Sequence, residues 1–316
     1  MTEPISHIVA PATASAVTTD TAPAPAGPEA PGKRERSASL WADAWRDLIR
    51  NPVFVISSVV ICVVTSMALF PTLWTSADPK ACDIAFARVG PSGEHPFGFS
   101  SLGCDYYAQA IHGARPSLTI ALVSTIGITI IGGVLGMLAG FFGGWTDTVI
   151  SRITDVFLSL PFLLGTLVFL SLLRSRNIWT IALVLIALGW TTITRIMRGS
   201  VIAAKNLDYV HAARAVGAGN GRLMYKHILP NSVAATIVVA TIALGSFVSA
   251  EATITFLGVG LQPPDVSWGI MISQNQGYFA EFPWLLLFPC GLLVLTVLSF
   301  ILAGDALRDA LDPKLR

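Results

Sequence analysis

Tyr209-Val-His-Ala-Ala-Arg-Ala-Val-Gly-Ala-Gly219, running on to Ile228-Leu-Pro230, is a polar, basic, helix-prone stretch set between two strongly apolar ones. A chain immersed in lipid has little use for such a loop unless something beyond the membrane grips it. Ala212, Ala213 and Gly217 offer a small face for close approach of another backbone. Gly217, Gly219 and Gly221 allow the turn that follows. Pro230 disfavours the α region at Leu229, so a new helix is expected to begin there.

Outward from this loop the chain is mostly apolar. Of its 316 residues 53% are hydrophobic and only 12% charged, with a mean hydropathy of +0.67. A soluble domain of this size could not hide so much apolar surface, which makes this an all-α integral membrane protein with several spans. A net charge of +1 creates no global field that would attract nucleic acid. Six segments can be drawn, at 52–73, 117–142, 155–173, 178–194, 233–257 and 283–303. Each approaches the ~20 residues a helix needs to cross roughly 30 Å of hydrocarbon. Pro161 and Pro289 fall inside spans and predict kinks. Thr191, Thr192 and Arg195 cut the fourth span short.

Residues 1–38 differ in kind. They are rich in Ala, Pro, Thr and Ser and lack the apolar core of a signal peptide, so they predict a disordered tail. That tail is either a solvated extension or a docking segment. Over 39–51, Leu40, Trp41, Ala44, Trp45, Leu48 and Ile49 recur at helical spacing, with Asp43, Arg46, Asp47 and Arg50 opposite. This suits a helix lying in the lipid interface, the alternative being a short soluble helix. Asn51-Pro52 turns the chain into the membrane.

The 20 lysines and arginines set the orientation. With the N-terminus inside, only Lys80, Arg88, Arg115, Arg174 and Arg176 remain outside. The positive-inside rule therefore makes both termini cytoplasmic. Loop 195–232 lies on the same side, and loops 75–116 and 258–282 lie outside.

His211-Ala-Ala, Gly217 and Ile228-Leu-Pro230 together resemble the cytoplasmic coupling motif of ABC importer permeases. That family has a glutamate where this chain has His211, which changes the charge there and adds a group able to titrate near neutrality. His95-Pro-Phe-Gly98, Leu102-Gly103, Asp105 and Gly113-Ala-Arg115-x-Ser117-Leu118 resemble the start of the second span in dipeptide, oligopeptide and nickel permeases. Phe256-Leu-Gly-Val-Gly-Leu-Gln-Pro-Pro264, with Ser267-Trp-Gly269, is similar to their outer loop, and 304–316 to the tail of their C-type subunit. The resemblance covers residues 40–316.

It implies the transmembrane domain of a type I ABC importer in the plasma membrane, over 52–316, with 195–232 as the coupling loop. It also implies a homologous sister permease as heterodimer partner, two ATPase subunits and an extracytoplasmic substrate-binding protein. ATP and magnesium would bind the partners, with no cofactor in this chain. Energy would arrive through the helix around 206–222 and drive alternating access. The binding protein selects the ligand in such systems, so peptides, nickel complexes or another small solute all fit. A self-contained secondary transporter is the competing class, but it needs several intramembrane acids or an internal repeat. A membrane scaffold would explain the basic loop without explaining the polar outer loops.

Further constellations stand beside the motif. Gly132, Gly136, Gly140 and Gly144 repeat every fourth residue and mark a close helix contact, within this chain or with the sister permease. Glu251 is an acid well inside an apolar span, so it faces the outer gate or substrate path, or else hydrogen-bonds a neighbouring span. Cys104 replaces the family's usual basic residue, and Phe99-Ser100 its usual Thr-Asp. With Cys82 upstream on the oxidising side, Cys104 suggests a disulfide, two free thiols being the alternative. Cys62 and Cys290 sit in apolar runs as small hydrophobes. His95, His112, His211 and His227 show no metal spacing. Gly217-x-Gly-x-Gly221 follows no strand and lacks the Lys-Ser/Thr of a phosphate loop.

Overall fold

A computed structural model describes residues 40–311. The tail expected over 1–38 and the last residues, 312–316, lie outside the described residues. Apart from two isolated bridges, Cys82 to Cys104 and Phe99 to Asp105, the regular structure described is helical.

Helix α1, Leu40–Arg50, packs beside the last helix and buries Leu48 while Trp45 and Ile49 stay exposed. Asn51 ends it and caps α2, Pro52–Leu69, by accepting from the Val53 amide at 2.9 Å. A long loop then leads to α3, Tyr106–Phe142, which is 37 residues long. Asp105 caps α3 through the Ala108 amide at 2.8 Å, and His95 holds that carboxylate at 2.6 Å. The second span thus begins a full eleven residues before the predicted Ser117, carrying Pro116 within it. At 1.5 Å per residue α3 is about 55 Å long, so it projects well beyond the hydrocarbon.

The third span is not the single helix predicted over 155–173. It is a broken pair, α4 (Gly144–Ser159) and α5 (Phe162–Leu172), meeting at 82°. Pro161 has no amide hydrogen and forces Leu160 into extended geometry, φ −83° and ψ 125°, so the helix cannot continue. A break replaces the expected kink. Pro289 behaves differently and sits inside a continuous helix.

Helix α6, Ile178–Lys205, starts on an Asn177 cap and runs well past Thr194, where the fourth span was expected to end. After it come α7, Asp208–Ala215, and the short α8, Asn220–Arg222. A π-helical turn, Leu223–Ile228, then leads into α9, Leu229–Phe256. A short α10, Trp268–Asn275, and α11, Trp284–Leu311, complete the described fold.

The glycine stripe decides how α3 packs. A Cβ on Gly132 would lie 2.6 Å from the Trp190 carbonyl, and one on Gly136 equally close to that of Thr194. On Gly140 it would meet the Val201 side chain at 2.8 Å. The stripe therefore serves contact with α6 inside this chain. Gly144, with φ +53°, instead turns the chain into α4.

Candidate functional site

The element 208–230 is built as a stiff wedge. Helix α7 closes with two bonds, Ala218 amide to Ala213 carbonyl and Gly217 amide to Arg214 carbonyl, each 3.0 Å. This is a Schellman cap, and Gly217 takes its left-handed position with φ +89°. Ala218 and Ala213 then pack inward together, as that cap favours.

The wedge is fastened by a separate apolar cluster. Val210, Leu223 and Ile228 are buried against Met137 and Phe141 of α3 and Met197, Val201 and Ala204 of α6. Tyr209 and Asn231 lock the two arms: the Asn231 amide donates to the Tyr209 oxygen at 2.8 Å and to the His227 carbonyl at 3.0 Å. Lys205 Nζ donates to the Phe141 carbonyl at 2.6 Å, tying the end of α6 to that of α3. The wedge is thus packed on the ends of α3 and α6 and runs directly into α9.

Two sequence expectations change here. Leu229 is α-helical, φ −53° and ψ −48°, despite the proline after it. The π turn lets the Leu229 amide reach the Met224 carbonyl and widens the helix where the Pro230 ring would otherwise meet the preceding turn. Helix thus continues from Asn220 instead of starting at Pro230. Ala213 faces the chain's own core, so the outward small surface is reduced to Ala212 and Gly217, with His211 exposed beside them. Val216 and Tyr225, which sequence reasoning passed over, are 89% and 78% exposed on the same wedge.

The broken span opens a cavity of about 520 Å³. Its wall is apolar, with Ile128, Phe157, Pro161, Leu188 and Phe247 among its side chains, and Thr191, Thr192 and Ser246 add hydroxyls. Irregular backbone at membrane depth is tolerated where it lines such a space. Two ion pairs hold α4 against α6 nearby: Arg198 grips Asp147 through two bonds, 2.5 and 2.6 Å, and Arg195 meets Asp155 at 2.7 Å.

Glu251 is not on that cavity wall. It is 0% exposed, accepting from Ser117 of α3 at 2.8 Å and Thr255 of α9 at 2.9 Å. The Thr255 hydroxyl also receives the Leu261 amide. The outward-gate placement gives way to a junction between spans, because a buried carboxylate needs donors on every side. A second junction lies close by: Asn275 donates to the Tyr106 hydroxyl at 3.3 Å, and Tyr106 donates to the Leu285 carbonyl. The Trp268 ring donates to the Ala110 carbonyl at 2.9 Å. Helix α10 is thereby stitched to α3 and, through Tyr106, to α11, and the Ser273 hydroxyl donates to the Phe256 carbonyl of α9 at 3.2 Å.

Cys82 and Cys104 are joined by a disulfide, with Cα atoms 4.0 Å apart. The bond closes the loop that leads into α3 beside its Asp105 cap.

A polytopic helical protein with long apolar spans, one broken span and a capped wedge at one end has the architecture of a transport subunit. Residues 132–316 match the family described as the inner membrane component of binding-protein-dependent transport systems, and this chain belongs to it. Residues 39–91 match the N-terminal transmembrane domain of oligopeptide transport permease C. The oligopeptide transport system permease protein of Bacillus subtilis is 35% identical over 89% of this chain and 92% of its own length. The dipeptide permease protein of Alkalihalophilus pseudofirmus is 36% identical, covering 90% of this chain and 94% of itself. The glutathione permease protein of Pectobacterium atrosepticum is 34% identical over 87% of this chain and 92% of its own length. Among solved structures, an inward-facing methionine ABC transporter shares the fold, with a TM-score of 0.54 and 22% identity over 64% of this chain and 96% of that one. The chain is accordingly a multi-pass inner membrane permease subunit of an ABC transport system.

Proposed function

We propose that this chain forms half of a peptide-importing channel, with a homologous sister permease as the other half. Of two ATPase subunits in the assembly, one grips the wedge 208–230 from the cytoplasm, and an extracytoplasmic binding protein delivers the peptide. The relatives named for oligopeptide, dipeptide and glutathione transport support the substrate class. ATP and magnesium bind the ATPases, and this chain carries no catalytic residue.

One observation carries the reading. The motif residues Gly217, Ile228 and Pro230 build a capped wedge whose core is shared with three spans. A moving ATPase could not shift the wedge without moving α3, α6 and α9. The cavity at the broken span is this subunit's share of the pathway, opening and closing as α4 and α5 move against α9. Glu251 fastens the opposite end, keeping α3, α9 and the outer loop in register while the wedge end moves.

Affinity purification of the tagged chain in mild detergent tests the assembly. Bound ATPase and sister-permease subunits, with hydrolysis stimulated by a binding protein, are expected. A chain that purifies alone and hydrolyses nothing would contradict the proposal.

A further inference from the structure

The cations near the wedge fall into two groups. Arg195, Arg198 and Lys205 are all engaged within the chain, by Asp155, Asp147 and the Phe141 carbonyl. Arg214, Arg222 and Lys226 are exposed and meet no acid among the described residues. Between Asn206 and Ile228 the only carboxylate is Asp208. The fold thus spends its inner cations on itself and leaves the outer three without an acid partner among the described residues, around the exposed apolar side chains of Val216 and Tyr225.

Lipid headgroups could also attract three cations, but the wedge stands too far out. Arg195 and Asp155 are charged and more than half exposed, and exposed charges on a span sit at or beyond the edge of the hydrocarbon. From Thr194 to Lys205 the helix runs on for about 16 Å, and a 40° tilt still leaves about 12 Å. Headgroups extend only about 5–8 Å beyond the hydrocarbon. The outer three cations lie on the far side of that layer, where a protein surface can meet them.

We infer that the ATPase groove receiving this wedge is acidic, its carboxylates pairing with Arg214, Arg222 and Lys226 around an apolar floor that seats Val216 and Tyr225. The inference rests on the proposed function and adds the chemistry of the partner. Charge complementarity of this kind selects the right ATPase among homologous ones and raises the association rate. His211, exposed on the same wedge, adds no negative charge that an acidic groove would repel.

The test compares tagged complexes drawn from native-cell membranes. Three forms are needed: wild type, the reversal R214E/R222E/K226E, and the charge-preserving R214K/R222K/K226R. Wild type and the charge-preserving form should retain ATPase, released as NaCl rises from about 0.1 to about 1 M. The reversal should retain its sister permease yet carry about tenfold less ATPase. Full ATPase retention by the reversal would overturn the inference. So would retained ATPase together with lost binding to phosphatidylglycerol vesicles, which would assign the cations to lipid. If the reversal fails to assemble, wild type decides: ATPase that stays bound in high salt contradicts an acidic groove. Wild type carrying no ATPase at any salt would instead overturn the proposed function beneath it.

Discussion

Glu251 receives hydroxyls from two helices and shows no exposure, so its task is to accept hydrogen bonds. Glutamine keeps an acceptor and lets the Ser117 and Thr255 hydroxyls rotate to meet its amide. Glu251→Gln should therefore retain assembly and most uptake. Glu251→Ala strands those hydroxyls and should cost about 1–3 kcal/mol per orphaned group. Thermal unfolding of the detergent-solubilised complex checks this: the alanine variant melts lower while the glutamine variant stays near wild type. Equal melting of all three would refute a fastening role. Gly217 makes a second residue-scale case. Its φ of +89° strains any Cβ by about 1–2 kcal/mol although open space surrounds it. Gly217→Ala should leave assembly intact but lower binding-protein-stimulated ATP hydrolysis, measured per assembled complex. Unchanged stimulation would separate the cap from coupling. The need for a glycine at this position was legible in the sequence. The direction faced by Ala213 was not, because one helical turn of small residues carries no apolar stripe.

The broken third span shows what an element can do that its residues alone do not reveal. Pro161 marked where the helix would fail, but neither the 82° angle between α4 and α5 nor the packing of α5 on α6 and α9 can be read from these residues alone. Pro161→Ala gives back an amide and removes the restriction on Leu160, so the two helices should straighten and narrow the cavity. Uptake should fall while the complex still assembles, and a thiol reagent should label a Ser246→Cys background more slowly. Unchanged labelling would mean that the surrounding helices, not the proline, set the bend. Span ends were misjudged for a related reason. Hydropathy reports where lipid stops, whereas α3 begins early against α10 and α6 runs on past Thr194 against the end of α3 and the wedge. The Gly132, Gly136 and Gly140 spacing announced a close contact, yet its partner became evident only when α6 lay against the stripe. The Asp147–Arg198 pair spans 51 residues and left no local trace in the sequence.

At the scale of the whole molecule, two fastened ends flank a softer middle. One end is the wedge, sharing its core with α3, α6 and α9. The other is the outer layer, where Glu251, Asn275, Trp268 and the Cys82–Cys104 disulfide tie loops to spans. Between them lies the cavity with its few hydroxyls. Motion generated at the wedge would then act as a lever on the middle, which is what alternating access requires. The fold class and the wedge were readable from apolar spacing and a short motif. The cavity was not, since it forms from five helices, α3, α4, α5, α6 and α9, that meet only in three dimensions. The proposed function has ATP hydrolysis outside this chain driving peptide through it. Uptake of a labelled mixture of short peptides by liposomes carrying the purified complex and the binding protein tests this. Accumulation should require hydrolysable ATP on the wedge side and be unaffected by collapsing the proton gradient. Accumulation driven by a proton or sodium gradient without ATP would contradict it.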